Sequence, residues 1–310
     1  MPPQTVVIGE NLVDLLVHPT SLEGVIGGGP LNVARTMGRL GGAVSFLSGV
    51  SADAFGQRIR QALADDGVVL VEPTPSPRPT TMAVVTMDSS GPSYHFHLQN
   101  TASFGIARHD LGAPAALYVG TLGLLVEPMA SIGEELFSNA PSSTVAILDP
   151  NCRPSATDDF DGYVARLRRM YQRADIVKVS VEDLEYLSPN LDPVAAARLI
   201  LSDGARLVII TDGPGPVRAV HAGFEISVPV PPTEIVDTVG AGDSLTGGFL
   251  TWWLGQGYGR ADLDHSALVA EALAAAIEIS RRTCQRAGAQ PPVAAELATV
   301  DGWLWLQLAH

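Results

Sequence analysis

The chain has 310 residues, of which 46% are hydrophobic, and its 19 basic and 33 acidic residues give a formal net charge of −14 at pH 7. This acidic balance, with basic residues dispersed along the chain, argues against a nucleic-acid or anionic-membrane surface, so small molecules are the expected partners. Cys152 and Cys284 are far apart and lack CxxC spacing, so they form neither a disulfide framework nor a thiolate metal cage and are expected to be structural.

The N-terminal residues show no targeting segment. They lack a basic stretch followed by an apolar stretch and a cleavage site, and no apolar run reaches the roughly 18 residues of a membrane span. We therefore expect a cytoplasmic protein without membrane contact. Lys178 is the single lysine of the chain, so there is no GxxxxGK[ST] loop, and phosphate must be bound without a Walker lysine.

Short apolar runs rich in valine and isoleucine recur along the chain and predict strands. These runs are Thr5–Ile8, Val44–Leu47, Ala83–Met87, Leu117–Val119, Val145–Leu148, Ile176–Val179 and Leu207–Thr211. Segments with helical periodicity lie at Asn32–Leu40, Gln57–Asp66, Ser131–Ser138, Tyr163–Arg173, Pro193–Leu201 and Asp262–Cys284. Their alternation predicts an α/β fold, a mostly parallel central sheet with helices on both faces. We expect a single domain over residues 1–310.

Two regions break the alternation, approximately residues 11–25 and 80–100. Within residues 93–99, apolar side chains alternate with polar ones, and this period of two predicts half-exposed strands. We expect the two regions to form a small β lid inserted in the domain. His95 and His97 share one face of the lid, but the sequence offers no third metal ligand, so we interpret them as ordinary strand residues.

A glycine-rich segment from Asp237 to Ser244 precedes an apolar stretch with helical spacing. Small residues at Gly240, Ala241 and Gly242 let backbone N–H groups approach an anion, and a helix start adds free donors and the positive end of its dipole. The segment therefore predicts an anion hole for a phosphoryl group, with Gly242 against the phosphate and free to adopt positive φ. Asp243 would repel a bound anion, so it is better explained as the base that accepts the proton of an attacking hydroxyl.

The loop also allows two other interpretations. Asp243 and Asp237 could cap a helix and a neighbouring turn, which is the more frequent role of an isolated GxGD pattern. A dinucleotide-binding GxGxxG loop is disfavoured because Leu245 occupies the third glycine position and the loop lies near the end of the chain. A Rossmann oxidoreductase is therefore not expected.

Taken at its full length, the segment from Asp237 to Leu250 resembles the C-terminal motif of the ribokinase-like, or PfkB, carbohydrate kinases. Four further segments resemble, in the family's order, the opening strand with its sugar-binding aspartate, the N-terminal glycine motif, the DPNxR segment of fructokinase-like members and the C-terminal loop. These segments are Gly9–Asp14, Gly27–Ala34 with Leu40–Gly42, Asp149–Arg153 and Arg286–Pro292. On this resemblance, which spans nearly the whole chain, we identify the protein as a member of the family and expect the ribokinase-like fold.

The resemblance implies a role for particular residues. The sugar site would be formed by Asp14, Gly28, Gly29, Asn32, Asn151 and Arg153. The nucleotide would be bound by Ser180, Thr211, Gly213 and Gly288. Asp183 and Glu182 would orient Mg²⁺ through water, and Asp237 and Val239 would hold a monovalent cation such as K⁺ beside the anion hole.

Three segments depart from the family pattern. Ser51 stands where many members have the first glycine of GxDxxG. The segment Ser180–Asp183 takes the place of NxxE and keeps an acid but not the amide, and Thr211–Pro216 places Gly213 out of register for the TxGxxG nucleotide loop. These departures leave the magnesium and adenine contacts open.

Several of these residues also have an ordinary structural interpretation. Asp14 by itself suits a turn at a strand end, and Arg153 suits an exposed position after a proline turn. Glu182 and Asp183 suit the first turn of a helix, where the dipole favours acidic residues. For these positions the sequence leaves both interpretations open.

The activity implied by the resemblance is ATP-dependent phosphotransfer to a hydroxyl of a small sugar, with Asp243 as general base, Mg²⁺ as cofactor and K⁺ as an activator. The Gly9-Glu10 pair and the DPNxR segment favour a fructokinase-like member. Ribose, 2-keto-3-deoxygluconate and nucleoside kinases stay open, as does a sugar-binding regulator that has lost turnover. Because lids of this family pair between subunits, a homodimer is expected.

Overall fold

A computed structural model of the chain describes residues 4–88 and 91–297. Its strands, in chain order, are β1 (Thr5–Ile8), β2 (Leu12–Val17), β3 (Leu22–Gly27), β4 (Val44–Leu47), β5 (Val69–Leu70), β6 (Met82–Asp88), β7 (Gly91–His97), β8 (Ala116–Gly120), β9 (Val145–Asp149), β10 (Ile176–Ser180), β11 (Leu207–Thr211), β12 (Val217–His221) and β13 (Glu225–Val228). Its helices are α1 (Gly29–Arg39), α2 (Ala54–Asp65), α3 (Met129–Ser138), α4 (Phe160–Tyr171), α5 (Val181–Leu187), α6 (Pro193–Ser202), α7 (Ala241–Gly255), α8 (Ser266–Cys284) and α9 (Ala294–Leu297).

The larger sheet has the strand order β13-β12-β11-β10-β9-β8-β1-β4-β5. From β11 to β5 all neighbours are parallel, and β12 and β13 extend the sheet in the antiparallel sense. Alternate strand residues face opposite layers of helices. Val7 and Phe46 pack with α1, α7 and α8, whereas Val6 and Leu148 pack with α3, α4 and α6. The predicted α/β fold, with helices on both faces of a mostly parallel sheet, is confirmed.

A second sheet has the order β3-β2-β6-β7. The β2–β6 pair is parallel and the two outer pairs are antiparallel. Its strands come from the two regions that broke the helix–strand alternation, so the small β lid predicted from approximately 11–25 and 80–100 is present. The apolar run Ala83–Met87 belongs to this lid and not to the central sheet.

The last long helix is shorter than predicted. A separate 3-10 turn occupies Ala261–Asp264, and α8 begins at Ser266, after His265 in an extended conformation. The Asp262 carboxylate accepts the N–H of Gly259 at 2.8 Å, which ties the turn to the preceding loop and not to the helix. An aspartate that bonds local backbone favours a turn over helix continuation.

The chain order of the strands fixes where a ligand can enter. From β1 the chain moves to β4 and β5 on one side, and it later returns to β8 and its successors on the other. Ligands of open α/β sheets bind outside the carboxyl ends of the strands at such a reversal. Within the described residues, no helix is long and apolar enough to cross a bilayer.

Candidate active site

The glycine loop and the start of α7 lie at this edge of the sheet. Gly240 precedes the helix in the left-handed conformation, with φ of 77° and ψ of 5°. A Cβ at this position would lie 2.5 Å from the Cβ of Ala289, so the loop needs glycine both for its φ and for the approach of the C-terminal segment. Asp243 follows in the first turn of α7 and is buried.

Helix α1 begins beside the same carboxylate. A Cβ at Gly29 would lie 3.3 Å from Oδ1 of Asp243, and Nδ2 of Asn32 donates a hydrogen bond to Oδ2 of Asp243 at 2.8 Å. Gly28, with φ of 115°, immediately precedes the helix. The N-terminal ends of α1 and α7 therefore meet at the Asp243 carboxylate, and each end contributes free N–H groups and positive dipole charge.

The surroundings of Asp243 act on its pKa in opposite directions. Burial raises the pKa above the usual aspartate value, and the hydrogen bond from Asn32 and the charges of Lys178 and Arg153 partly offset this effect by favouring the ionised form. A buried carboxylate with partial compensation is a suitable proton acceptor, because its basicity exceeds that of an exposed aspartate.

The residues predicted to bind sugar come together around this point. Asp14 on β2 is half-buried, and burial raises its pKa to about 6, an effect strengthened by Asp243 and opposed by Arg153. Asn151 follows β9 with φ of 38°, and its Nδ2 lies 3.4 Å from Oγ1 of Thr121. A Cβ at Gly29 would also lie 3.3 Å from Nδ2 of Asn151, so the loop after β9 faces the start of α1.

Arg153 directs its positive charge toward the same space. Its Nη1 donates to the carbonyl oxygens of Asn151 at 3.0 Å and Cys152 at 2.9 Å, which holds the guanidinium against its own loop. The charge lowers the pKa of Asp14 and Asp243, although within the described residues it forms no ion pair closer than 4.0 Å. Its half-buried position differs from a freely exposed surface arginine.

The residues predicted to bind nucleotide or magnesium near the ends of β10 and β11 lie in a helix cap and in turns. Ser180 and Asp183 make a reciprocal capping box at the start of α5, and the other oxygen of Asp183 accepts the N–H of Cys152 at 2.6 Å. Both oxygens of Asp183 thus bind backbone, whereas Glu182 is exposed. Thr211 is half-exposed, and Gly213 lies in an exposed turn with φ of 48°. Nucleotide and magnesium roles for these positions stay predictions.

Asp237 joins the glycine loop to the C-terminal segment. Its Oδ1 accepts the N–H of Val239 at 3.0 Å, and its Oδ2 accepts the N–H of Gly288 at 2.8 Å. The two positions predicted to hold a monovalent cation, Asp237 and Val239, are therefore adjacent, and Gly288 is bonded to the same carboxylate. The hydrogen bonds are those of a turn-capping aspartate, and a cation role stays a prediction.

Two details of the loop differ from the sequence expectation. The positive φ belongs to Gly240, because Gly242 is already part of the helix. A Cβ at Gly242 would lie 3.0 Å from Nζ of Lys178, so glycine there leaves room for the lysine side chain. The N–H of Ala241 donates to the carbonyl oxygen of Thr238 at 3.2 Å, so this amide is already in use.

Three buried ionisable residues near the site have no role among the sequence predictions. Lys178 on β10 forms an ion pair with Asp149 at the end of β9, with Nζ 3.4 Å from Oδ2. Glu10, directly after β1, accepts the N–H of Gly123 at 3.1 Å, and burial raises its pKa to about 8. The sequence signal for Lys178 was a lysine inside an apolar strand. Glu10 lies in the Gly9-Glu10 pair and Asp149 in the DPNxR segment.

His95 and His97 lie on β7 with ring centroids 5.2 Å apart. Across residues 4–88 and 91–297 there is no group of three or more histidine, cysteine or acidic residues arranged to hold a metal ion. The cysteines are free thiols, with Cys152 buried and Cys284 partly buried.

The geometry agrees with comparisons to known proteins. Residues 7–293 match the model of the pfkB family carbohydrate kinases. The chain belongs to this family. Fructokinase from Rhizobium leguminosarum bv. trifolii is 34% identical over 251 residues, which cover 78% of this chain and 77% of the relative. The pfkB-family resemblance noted in the sequence is confirmed, and the protein is a carbohydrate kinase.

Solved structures show the same fold. Aminoimidazole riboside kinase from Salmonella enterica, complexed with aminoimidazole riboside and an ATP analogue, is 26% identical, with a TM-score of 0.79 over 92% of this chain and 95% of that one. A double mutant of fructokinase from Vibrio cholerae O395, in a form with fructose, ADP and potassium ion bound, has a TM-score of 0.83 at 22% identity over 97% and 100% of the two chains. The second likeness supports the pfkB-family fold alone.

Proposed function

We propose that this pfkB-family kinase transfers the γ-phosphoryl group of ATP to a hydroxyl of fructose or a closely similar small sugar, with Asp243 as the general base. The observation that carries the proposal is the Asp243 carboxylate, buried where α1 and α7 begin and bonded by Asn32. The 34% identity to a fructokinase supports the acceptor.

The sugar would lie between the lid and the start of α1. Asp14 can accept hydrogen bonds from two hydroxyls, and the side chains of Asn32 and Asn151 can each donate and accept. Oδ1 of Asn32 is buried and has no partner among the described residues, so a substrate hydroxyl can satisfy it. These groups orient one hydroxyl toward Asp243, which takes its proton as the bond to phosphorus forms.

The transferring phosphoryl group would bind at the start of α7. Among the described residues, the N–H groups of Gly240 and Gly242 have no acceptor, whereas Ala241 already donates to Thr238. We therefore assign the anion hole chiefly to Gly240 and Gly242, with Arg153 as an additional positive charge. Donors that are fixed before the reaction stabilise developing negative charge without reorganisation. Closure of the lid would exclude water, which competes as acceptor.

The donor set fits a divalent cation that arrives with the nucleotide. Mg²⁺ keeps several waters and needs only one or two carboxylates besides the phosphates. Exposed Glu182 can bind such an ion through water, and Asp183 orients the loop by its capping bonds. Ser180, Thr211, Gly213 and Gly288 would contact the nucleotide. A fructokinase of the same fold was solved with potassium ion bound. We assign a K⁺ site to the turn around Asp237 and Val239, whose backbone carbonyls can serve as ligands.

A nucleoside-like acceptor is the second candidate function. It is favoured by the 26% identity to a kinase crystallised with aminoimidazole riboside. Ribose and 2-keto-3-deoxygluconate are further acceptors to be compared. A sugar and nucleoside panel scored by ADP release distinguishes them: we expect fructose to give the highest kcat/KM. A kcat/KM for a nucleoside tenfold above that for fructose would show that the acceptor is a nucleoside. No ADP release with any acceptor would contradict the proposal.

We further propose that residues 1–310 act as one domain and that two chains pair through their lids. The lid exposes the apolar side chains of Val17, Leu22 and Tyr94, with exposed fractions of 37%, 66% and 39%. Exposed apolar patches of this kind often mark protein interfaces. Light scattering of the purified protein should give twice the monomer mass, and Leu22→Lys should reduce it. A monomer at micromolar concentration would contradict the pairing.

A further inference from the structure

The single lysine of the chain lies directly beneath the catalytic loop. Lys178 points from β10 into the layer under α7, among the apolar residues Leu245 and Phe249. Its side chain is 6% exposed, and its Nζ lies 3.0 Å from the position of a Cβ at Gly242. The ammonium group is therefore packed against the first turn of α7, on the side away from solvent.

A buried lysine in such a place requires compensation. Its ion-pair partner Asp149 is fully buried, with its Oδ2 3.4 Å from Nζ and 3.3 Å from the hydroxyl of Tyr118. The other oxygen of Asp149 has no partner among the described residues. Burial alone would lower the pKa of Lys178, but Asp149, Asp183 and Asp243 together raise it above the ordinary lysine value. The lysine is consequently charged, and more than one carboxylate shares its charge.

We propose that Lys178 is a positioning residue for phosphoryl transfer, whose buried charge keeps Asp243 ionised and adds positive potential behind the amides at the start of α7. The inference rests on the proposed role of Asp243. Lys178 lies beneath the helix with its side chain only 6% exposed, so it acts through Asp243 and the loop.

The pH dependence of kcat reports this effect. Asp243 must be deprotonated to accept a proton, so kcat falls at pH values below its pKa. Loss of a neighbouring positive charge raises that pKa, and loss of a neighbouring negative charge lowers it. The charged or titratable groups that act on or are affected by Asp243, apart from Lys178, are Glu10, Asp14, Tyr118, Asp149 and Arg153.

The test uses Lys178→Met, Asp149→Asn and the double variant. For each, kcat, sugar KM, the pH profile of kcat and the Tm are measured. We expect Lys178→Met to lower kcat at pH 7 by roughly 10–100-fold with sugar KM within about threefold, and to move the acid limb of the profile to higher pH. Asp149→Asn should move the acid limb to lower pH.

The double variant separates a charge effect on the reaction from a structural ion pair. Removal of both partners leaves no uncompensated buried charge, so the Tm should recover relative to Lys178→Met. If the proposal holds, kcat of the double variant stays at least about tenfold below that of Asp149→Asn, and its acid limb lies at higher pH. Equal kcat and equal acid limbs in these two variants would overturn it.

These outcomes are distinct from a failure of the proposed base. Asp243→Asn is measured in parallel, and near-normal turnover in that variant would contradict the proposed function itself. If Asp243→Asn is inactive while Lys178 makes no difference in the Asp149→Asn background, only the inference about Lys178 is overturned. If Lys178→Met does not fold, the comparison of the double variant with Asp149→Asn decides the question. If neither Lys178→Met variant folds, Lys178→Gln in the Asp149→Asn background takes their place, and a kcat and acid limb equal to those of Asp149→Asn overturn the proposal.

Discussion

Nδ2 of Asn32 donates a hydrogen bond to Oδ2 of Asp243 at 2.8 Å across 211 positions of sequence. The bond joins the first turn of α1 to the first turn of α7, so the two glycine motifs of the chain form one site. The amide oxygen of Asn32, Oδ1, is buried without a partner among the described residues. Asn32 can therefore orient the proposed base with its amide nitrogen and a sugar hydroxyl with its oxygen.

Asn32→Ala should impair both functions of the amide. The variant removes a hydrogen bond to the ionised form of Asp243, so the pKa of Asp243 rises and the acid limb of kcat moves to higher pH. A hydrogen bond to a charged group contributes about 1.5–3 kcal/mol, so we expect kcat/KM for the sugar to fall by roughly 10–100-fold. Steady-state kinetics at several pH values checks this. An unchanged acid limb would show that the bond does not affect the base.

Asp243→Asn should remove the base and preserve the site. The variant keeps an oxygen that can accept from Asn32, so folding and sugar binding should change little. Turnover should fall by roughly 10²–10⁴-fold, the usual contribution of a general base. Single-turnover kinetics with a sugar-binding titration measures the two effects separately. Near-normal turnover would exclude Asp243 as the base.

Asp14→Ala should act on the sugar alone. Loss of the carboxylate should raise the sugar KM by an amount that corresponds to about 1–3 kcal/mol and leave ATP affinity unchanged. Because the pKa of Asp14 is raised to about 6, sugar binding by the wild type should weaken below that pH as the carboxylate becomes protonated. Asp14→Asn is the matched control, since its affinity should not vary across this range. A fall in ATP affinity would show that the assignment of Asp14 to the sugar site is wrong.

Local patterns predicted the frame of the molecule and the glycine loop, whereas the sugar, nucleotide and metal positions were predicted from the family resemblance. The alternation of strand and helix patterns predicted the central sheet, and period-two patterning predicted the lid. Both patterns are local, because they depend only on residues close together in sequence. The glycine loop indicated Asp243 without reference to distant residues. The pairing of Asp243 with Asn32 follows only from the packing of α1 against α7.

The buried charges could not be predicted in the same way. Nothing near Lys178 in the sequence shows that β9 places Asp149 beside it, or that Gly242 lies above it. The hydrogen bond that Oδ1 of Asp183 accepts from the N–H of Cys152 likewise joins α5 to the preceding crossover. Such contacts join separate segments, and local sequence does not encode them.

Glu10→Gln should change how stability depends on pH. The pKa of Glu10 is raised to about 8 in the folded state from an ordinary 4.5, so between these values the folded state binds the extra proton. The free energy of unfolding of the wild type therefore falls as pH rises through this window, by about 1.4 kcal/mol per unit of pKa shift at most. Asp14 and Asp149 add a loss of the same sign, but only up to about pH 6.

The variant should therefore lose less stability than the wild type between pH 6 and 8. Thermal unfolding at a series of pH values measures the difference, with Glu271→Gln, an exposed substitution on α8, as the matched control. The control should follow the wild type. Parallel curves for the wild type and Glu10→Gln would show that Glu10 is already ionised in the folded protein at neutral pH.

The two glycines of the proposed anion hole should differ in their tolerance of a side chain. At Gly240, alanine meets both a φ of 77° and the Cβ of Ala289 at 2.5 Å, and neither can relax without moving the loop. At Gly242, where φ is helical, a Cβ meets only the side chain of Lys178, whose Nζ lies 3.0 Å away, and no backbone atom. We expect Gly240→Ala to lower turnover by roughly 10²–10³-fold, comparable to the loss of an oxyanion donor, and Gly242→Ala by less than about tenfold. Sugar affinity, measured by calorimetry without nucleotide, should stay within about threefold in both, because the perturbed amides face the phosphoryl group. Equal losses of turnover in Gly240→Ala and Gly242→Ala would contradict the difference in strain between the two positions. A loss of sugar affinity that parallels the loss of turnover in folded Gly240→Ala would show that the loop belongs to the sugar site.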